Sequence, residues 1–94
     1  MEIKDNPDKN RFETTQDGLT AFIEYKLQPG VITVLHTEVP KELEGRGIAS
    51  AMTRYALVSI AARNLALVPL CPYMRGYLKK HPEYQYLIRS NIRL

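Results

Sequence analysis

The stretch from His36 to Ala49, HTEVPKELEGRGIA, reads as a strand that runs into a glycine-containing loop and then a helix. The apolar helical pattern beginning near Gly47 calls for a preceding Ser, Thr, Asp or Asn to cap its first amides. None occurs between Glu38 and Ala49; Gly45 and Gly47 bracket Arg46 instead. Such a helix start turns bare N–H groups and the positive end of its dipole outward, an arrangement suited to phosphate. Gly47 admits a close backbone approach, Ala49 keeps the helix start uncrowded, Arg46 offers a charge-assisted bond and Ser50 a hydroxyl. Glu44 and Ile48 complete the loop. The alternative is a plain glycine-rich turn into a helix.

Upstream, Arg11–Thr15 and Leu19–Gln28 flank Gln16-Asp17-Gly18, and Asp-Gly is a strong hairpin signal. In the second segment Leu19, Ala21, Ile23, Tyr25 and Leu27 form an apolar face that alternates with mostly polar positions. Pro29-Gly30 makes the next turn. Val31–Val39 alternates again, with Val31, Thr33, Leu35, Thr37 and Val39 on one face and Ile32, Val34, His36 and Glu38 on the other. Antiparallel strands are therefore expected over all of these segments.

Downstream the period changes. From Gly47 to Arg63, residues Ile48, Met52, Tyr55, Ala56, Ser59 and Ile60 keep helical spacing, and Asn64 suits a left-handed stop. Leu65–Leu70 is short and wholly apolar, which predicts a strand buried on both faces and parallel to the one before the helix. Pro72 opens a second helix that ends at Lys80, before His81-Pro82. The tail from Glu83 to Leu94 fits either a short helix or an edge strand. The expected fold class is α+β, with a mixed sheet and two main helices.

The 94 residues suit one domain with a core of its own. A single cysteine, Cys71, excludes an intramolecular disulfide and a multi-cysteine metal site. The polar start MEIKDNPDKN lacks a signal-peptide core, and no apolar run reaches the ~20 residues of a membrane span, so a cytoplasmic protein is expected. Charge is divided unevenly along the chain. Residues 1–45 balance to −4 and residues 46–94 to +7, with the loop at the change of sign. That suits a polyanionic ligand, or simply a solvated basic face.

Cys71 falls at the carboxyl end of the parallel strand and directly before a helix start, where a thiol gains nucleophilic thiolate character. It reads equally as a small core residue. His36 and Glu38 share a strand face as a candidate proton acceptor pair, or simply point to solvent. Tyr73 is a candidate proton donor or an ordinary packing aromatic; His81 reads as a helix end.

Taken in order, these segments resemble the GNAT superfamily of N-acetyltransferases, and within it the small single-domain branch. The resemblance runs through Asn10-Arg11-Phe12-Glu13, Asp17-Gly18 and His36-Thr37-Glu38-Val39-Pro40. It continues through Glu44-Gly45-Arg46-Gly47-Ile48-Ala49-Ser50, Cys71-Pro72-Tyr73 and His81-Pro82-Glu83-Tyr84. It implies acetyl-coenzyme A in a wedge between two splayed parallel strands, with the loop amides on the pyrophosphate. Glu44 stands where the superfamily pattern has Gln or Arg, while Gly47 and Ala49 take its small-residue positions. By the same resemblance, backbone groups of Thr37, Glu38 and Val39 would pair with the pantetheine arm, and Cys71, in a Cys-Pro-aromatic motif with the cofactor-binding Tyr73, would lie near the acetyl group.

The function expected is acetyl-coenzyme A-dependent N-acetylation of an amine, with His36 or water as base and a direct or Cys71-mediated transfer. A non-catalytic acyl-coenzyme A-binding module is the alternative. A nucleic-acid-binding domain is a third, disfavoured because the basic half lacks interleaved exposed aromatics. No feature of the sequence names the acceptor or the oligomeric state.

Overall fold

The computed structural model describes all 94 residues. Strands β1 (Lys4–Asn6), β2 (Arg11–Gln16), β3 (Leu19–Gln28), β4 (Val31–Glu38) and β5 (Ala66–Pro69) form one sheet in the order β1-β2-β3-β4-β5. The first four pair antiparallel, and β5 lies parallel to β4. Helix α1 (Ile48–Ala62) connects β4 to β5, and α2 (Pro72–Lys80) follows. This is the α+β architecture that the residue pattern predicts.

The turns follow their residues. Asp17 (φ 52°) and Gly18 (φ 75°) join Gln16 to its cross-strand partner Leu19, the paired left-handed geometry of a tight hairpin. The polar segment Lys4–Asn6 carries no strand pattern, yet it pairs along β2. Its side chains fasten it: Tyr25 Oη donates to Asp5 Oδ1 at 2.6 Å and Asn6 Nδ2 donates to Glu13 Oε1 at 3.1 Å. The Arg11 guanidinium, 2.7 Å from that carboxylate and its strongest influence, holds Glu13 below the usual carboxylate range.

A bulge in β4 decides the site. Glu24 pairs with His36, but its neighbour Tyr25 pairs with Val34, so Leu35 is the extra residue. Strict alternation would place His36 and Glu38 beside Ile32 and Val34. The bulge instead puts Thr37, opposite buried Ile23, on the core side, and leaves His36 exposed opposite exposed Glu24.

One core of 17 buried residues joins the sheet face of Phe12, Ile23, Tyr25, Ile32 and Val34 to both helices. The buried stripe of α1 runs Ile48, Met52, Thr53, Ala56, Leu57 and Ile60; Tyr55 and Ser59, expected on it, lie outside. Thr53 is accommodated because its hydroxyl donates to Ala49 O at 2.8 Å. With both helices on one face, β5 is not buried on both sides: Leu67 and Pro69 are buried, Ala66 and Val68 only half so. The tail takes the helical one of its two expected forms, and the edge strand is reduced to a single isolated bridge. Pro82–Leu87 makes a 3-10 helix, and Ile88 then bridges to Leu67 beside β5.

Candidate active site

Strands β4 and β5 pair only from Val31–Ala66 to Val34–Pro69. There the carbonyl of Val34 accepts two amides at once, from Leu70 and Cys71, each at 3.0 Å. Pro72 then starts α2 and turns the chain away. Beyond Val34 the edge of β4 has no strand alongside, and a fork opens between Leu35–Glu38 and Cys71.

The loop behind the fork is built from a 3-10 turn (Lys41–Leu43), an extended Glu44 and two left-handed glycines, Gly45 (φ 82°) and Gly47 (φ 76°). Buried Leu43 and Ile48 anchor its two ends. Gly47 caps α1 with no side-chain bond, and none of the amides from Gly45 to Ser50 donates to a backbone acceptor. A Cβ built on Gly47 meets nothing within 4 Å, so the approach to these donors is open. Bare amides at the positive end of a 15-residue helix form an anion cradle.

Val39, Glu44, Gly45, Gly47, Ile48, Ala49, Ser50 and Tyr73 line one cavity of about 160 Å³. Most of the loop residues that the sequence singles out therefore face a common space with the end of β4 and the start of α2. Arg46 does not line it; its Nη1 donates to Asp17 Oδ2 at 2.8 Å, out on the hairpin turn. Both partners are exposed, so the guanidinium is positioned beside the loop but already engaged.

Cys71 and His36 stand apart. Cys71 is 1% exposed, with Sγ 3.1 Å from Thr37 Oγ1, so the thiol forms the floor of the fork. His36, on the opposite face of β4, places Nε2 2.8 Å from Glu38 Oε1 with both side chains about half exposed. An ionised carboxylate only accepts, so Nε2 carries the hydrogen and the Nδ1 lone pair of the neutral ring is left free. The expected nucleophile and base thus sit on different sides of the same strand.

Two further cavities adjoin the cradle, and Ser50 lines all three. One, of about 410 Å³, lies between Ser50 and the α2 residues Tyr73, Gly76, Tyr77 and Lys80, with His81. The other, of about 660 Å³, continues along α1 past Ala51, Arg54, Tyr55 and Val58. His81 caps α2 and stacks on Tyr77, ring centroids 4.1 Å apart. Burial is the main cause holding the Tyr77 phenol above its usual range, with Arg54 pulling it back down. Arg54, Tyr77 and Lys80 were missed by local patterning, because only the packing of α1 against α2 brings them together.

A forked mixed sheet with an uncapped glycine loop at the head of a crossover helix is the layout of a transferase family. Residues 11–87 match the model of GCN5-related N-acetyl-transferase. The chain belongs to this family. It is similar to Protein NATD1 of Mus musculus, 37% identical over 59 residues, which covers 63% of this chain and 54% of that protein. Protein NATD1 of Homo sapiens is likewise 37% identical over 59 residues, 63% of this chain and 52% of its own. Protein NATD1 of Danio rerio is 29% identical over 79 residues, 84% of this chain and 71% of its own. The chain spans about half the length of the mouse and human relatives. No helix is long and apolar enough to cross a membrane.

Proposed function

We propose that this chain is an acetyl-coenzyme A-dependent N-acetyltransferase that moves the acetyl group directly from thioester to amine. The run of free amides from Gly45 to Ser50 carries the proposal, because it supplies the donors that a pyrophosphate needs. The pantetheine arm then lies along the open edge of β4 at Thr37, Glu38 and Val39, and its thioester reaches the fork.

The amine nitrogen attacks the thioester carbonyl, the C–N bond forms, and the C–S bond breaks to release coenzyme A thiolate. An amide N–H near Val39 steadies the oxyanion. His36 takes the ammonium proton at Nδ1, directly or through water, and Glu38 holds the ring in that tautomer. Burial of Cys71 against Thr37 favours direct transfer over an acetyl-cysteine intermediate.

Titration with acetyl-coenzyme A tests the ligand, and no measurable heat or shift in melting temperature removes the proposal. For the chemistry, Cys71→Ala is expected to keep at least about a tenth of wild-type amine acetylation, whereas loss of a covalent route costs orders of magnitude. Label recovered on Cys71 after incubation with labelled acetyl-coenzyme A overturns direct transfer.

One observation favours a second reading, a non-catalytic acyl-coenzyme A-binding module. The sheet face bearing His36 and Glu38 is covered by no helix, so no enclosed acceptor pocket faces the fork. Binding without acetylation across a broad amine panel selects it.

A further inference from the structure

Six side chains on the uncovered face of the sheet stand in two rows across β2, β3 and β4. Arg11 faces Glu24, which faces His36; Glu13 faces Phe22, which faces Glu38. The two flanking strands are tied along their length, Arg11 Nε to Glu13 Oε1 at 2.7 Å and His36 Nε2 to Glu38 Oε1 at 2.8 Å. Phe22 on the middle strand ties them crosswise. The Arg11 guanidinium lies over its ring, 4.7 Å from the centroid. The His36 imidazole meets the same ring edge to face, with centroids 6.5 Å apart and planes at 68°. Both spacings fall in the attractive range, for a cation on a ring face and for two rings in a T. No helix packs on this face, yet Phe22 is half-buried and Glu13 buried, so these neighbours cover one another.

We infer that Phe22 is a positioning residue for His36: its ring, pinned by Arg11, holds the imidazole where Nε2 meets Glu38 and Nδ1 stays open to the acceptor amine. The inference rests on the reading of His36 as the base and adds a residue to it. His36 and Glu38 are both about half exposed, and a surface pair of that kind fixes a side chain only weakly on its own. A flat ring alongside narrows the imidazole torsions by shape and by edge-to-face attraction. The ring in turn is fixed because Arg11 is not free to leave it: the Glu13 carboxylate, itself bonded by Asn6 Nδ2 at 3.1 Å, holds the guanidinium in place. Order thus passes from the β1 edge of the sheet to the base through side chains alone.

Steady-state kinetics of Phe22→Leu, Phe22→Tyr and His36→Gln proteins test this, with acetyl-coenzyme A and the amine of a broad panel that the wild-type protein acetylates fastest. Phe22→Leu is expected to lower kcat about tenfold while KM for acetyl-coenzyme A stays within about twofold. Phe22→Tyr, which keeps the ring, is expected to retain at least about half of the wild-type kcat. Adding Phe22→Leu to His36→Gln is expected to cost no more than about twofold further, because the ring acts only through the imidazole. Wild-type kcat in Phe22→Leu, or an undiminished loss on adding it to His36→Gln, overturns the positioning role and leaves His36 as the base. A Phe22→Leu protein that circular dichroism shows unfolded assigns the ring to stability and overturns the role too. Wild-type kcat in His36→Gln takes down the base reading and this inference together, as does a wild-type protein that acetylates no amine.

Discussion

Gly47 shows how a single backbone angle sets chemistry. Its φ of 76° lets the loop turn without a side-chain cap, and that same turn leaves the donors of α1 bare. Gly47→Val is expected to cost about 1–2 kcal/mol of stability through left-handed strain. Its larger effect is on binding, because the new side chain stands in the open approach to the cradle. Acetyl-coenzyme A affinity is expected to fall more than about tenfold, read by calorimetry on protein shown folded by circular dichroism. Affinity within twofold of wild type removes the loop from the site. Cys71 makes the complementary point: its place beside a helix start suggests reactivity, but side-chain packing seats the thiol against Thr37 on the fork floor.

Among the elements, β4 contributes most to the site, and it is also where local pattern misleads. Val31–Val34 and Leu19–Gln28 announce themselves by alternation, and Pro72 and His81-Pro82 bracket α2 as expected. The bulge leaves no such mark, since apolar Leu35 after Val34 looks like one more strand residue. Deleting Leu35 removes the extra residue while keeping His36 outward and Thr37 inward. The expected product is folded, with a straighter β4 and acetyl-coenzyme A affinity reduced by about tenfold or more. Wild-type binding by the deletion shows that the bulge does not contribute to the site. Strand β1 was equally illegible, because side-chain bonds rather than an apolar face hold it. Glu13→Gln tests that fastening. The native carboxylate, depressed by Arg11, stabilises the fold above the ordinary Glu range near ~4.3 and loses that contribution as the pH falls through its lowered value. The variant is expected to be less stable at neutral pH by roughly 1 kcal/mol and to have a flatter acid limb in urea melts. An unchanged acid limb shows that Glu13 does not contribute.

Over the whole molecule, charge is sorted as the chain is sorted. The cradle straddles the change of sign, Arg54 and Lys80 follow it in the basic half, residues 46–94, and Glu13, Glu24 and Glu38 lie in the acidic half. Raising salt from about 0.05 M to about 0.5 M is expected to weaken coenzyme A binding severalfold, mainly through a slower on-rate. Salt-independent affinity shows that the net field plays no part. The doubled bond on Val34 has a consequence of its own. Pro69 and Pro72 have no amide hydrogen, and the Leu70 and Cys71 amides both go to Val34, so no amide from 69 to 72 is left to pair with β4 beyond it. Under the proposed function, the edge of β4 beyond Val34 is therefore left for the amide-bearing arm of a guest to pair with.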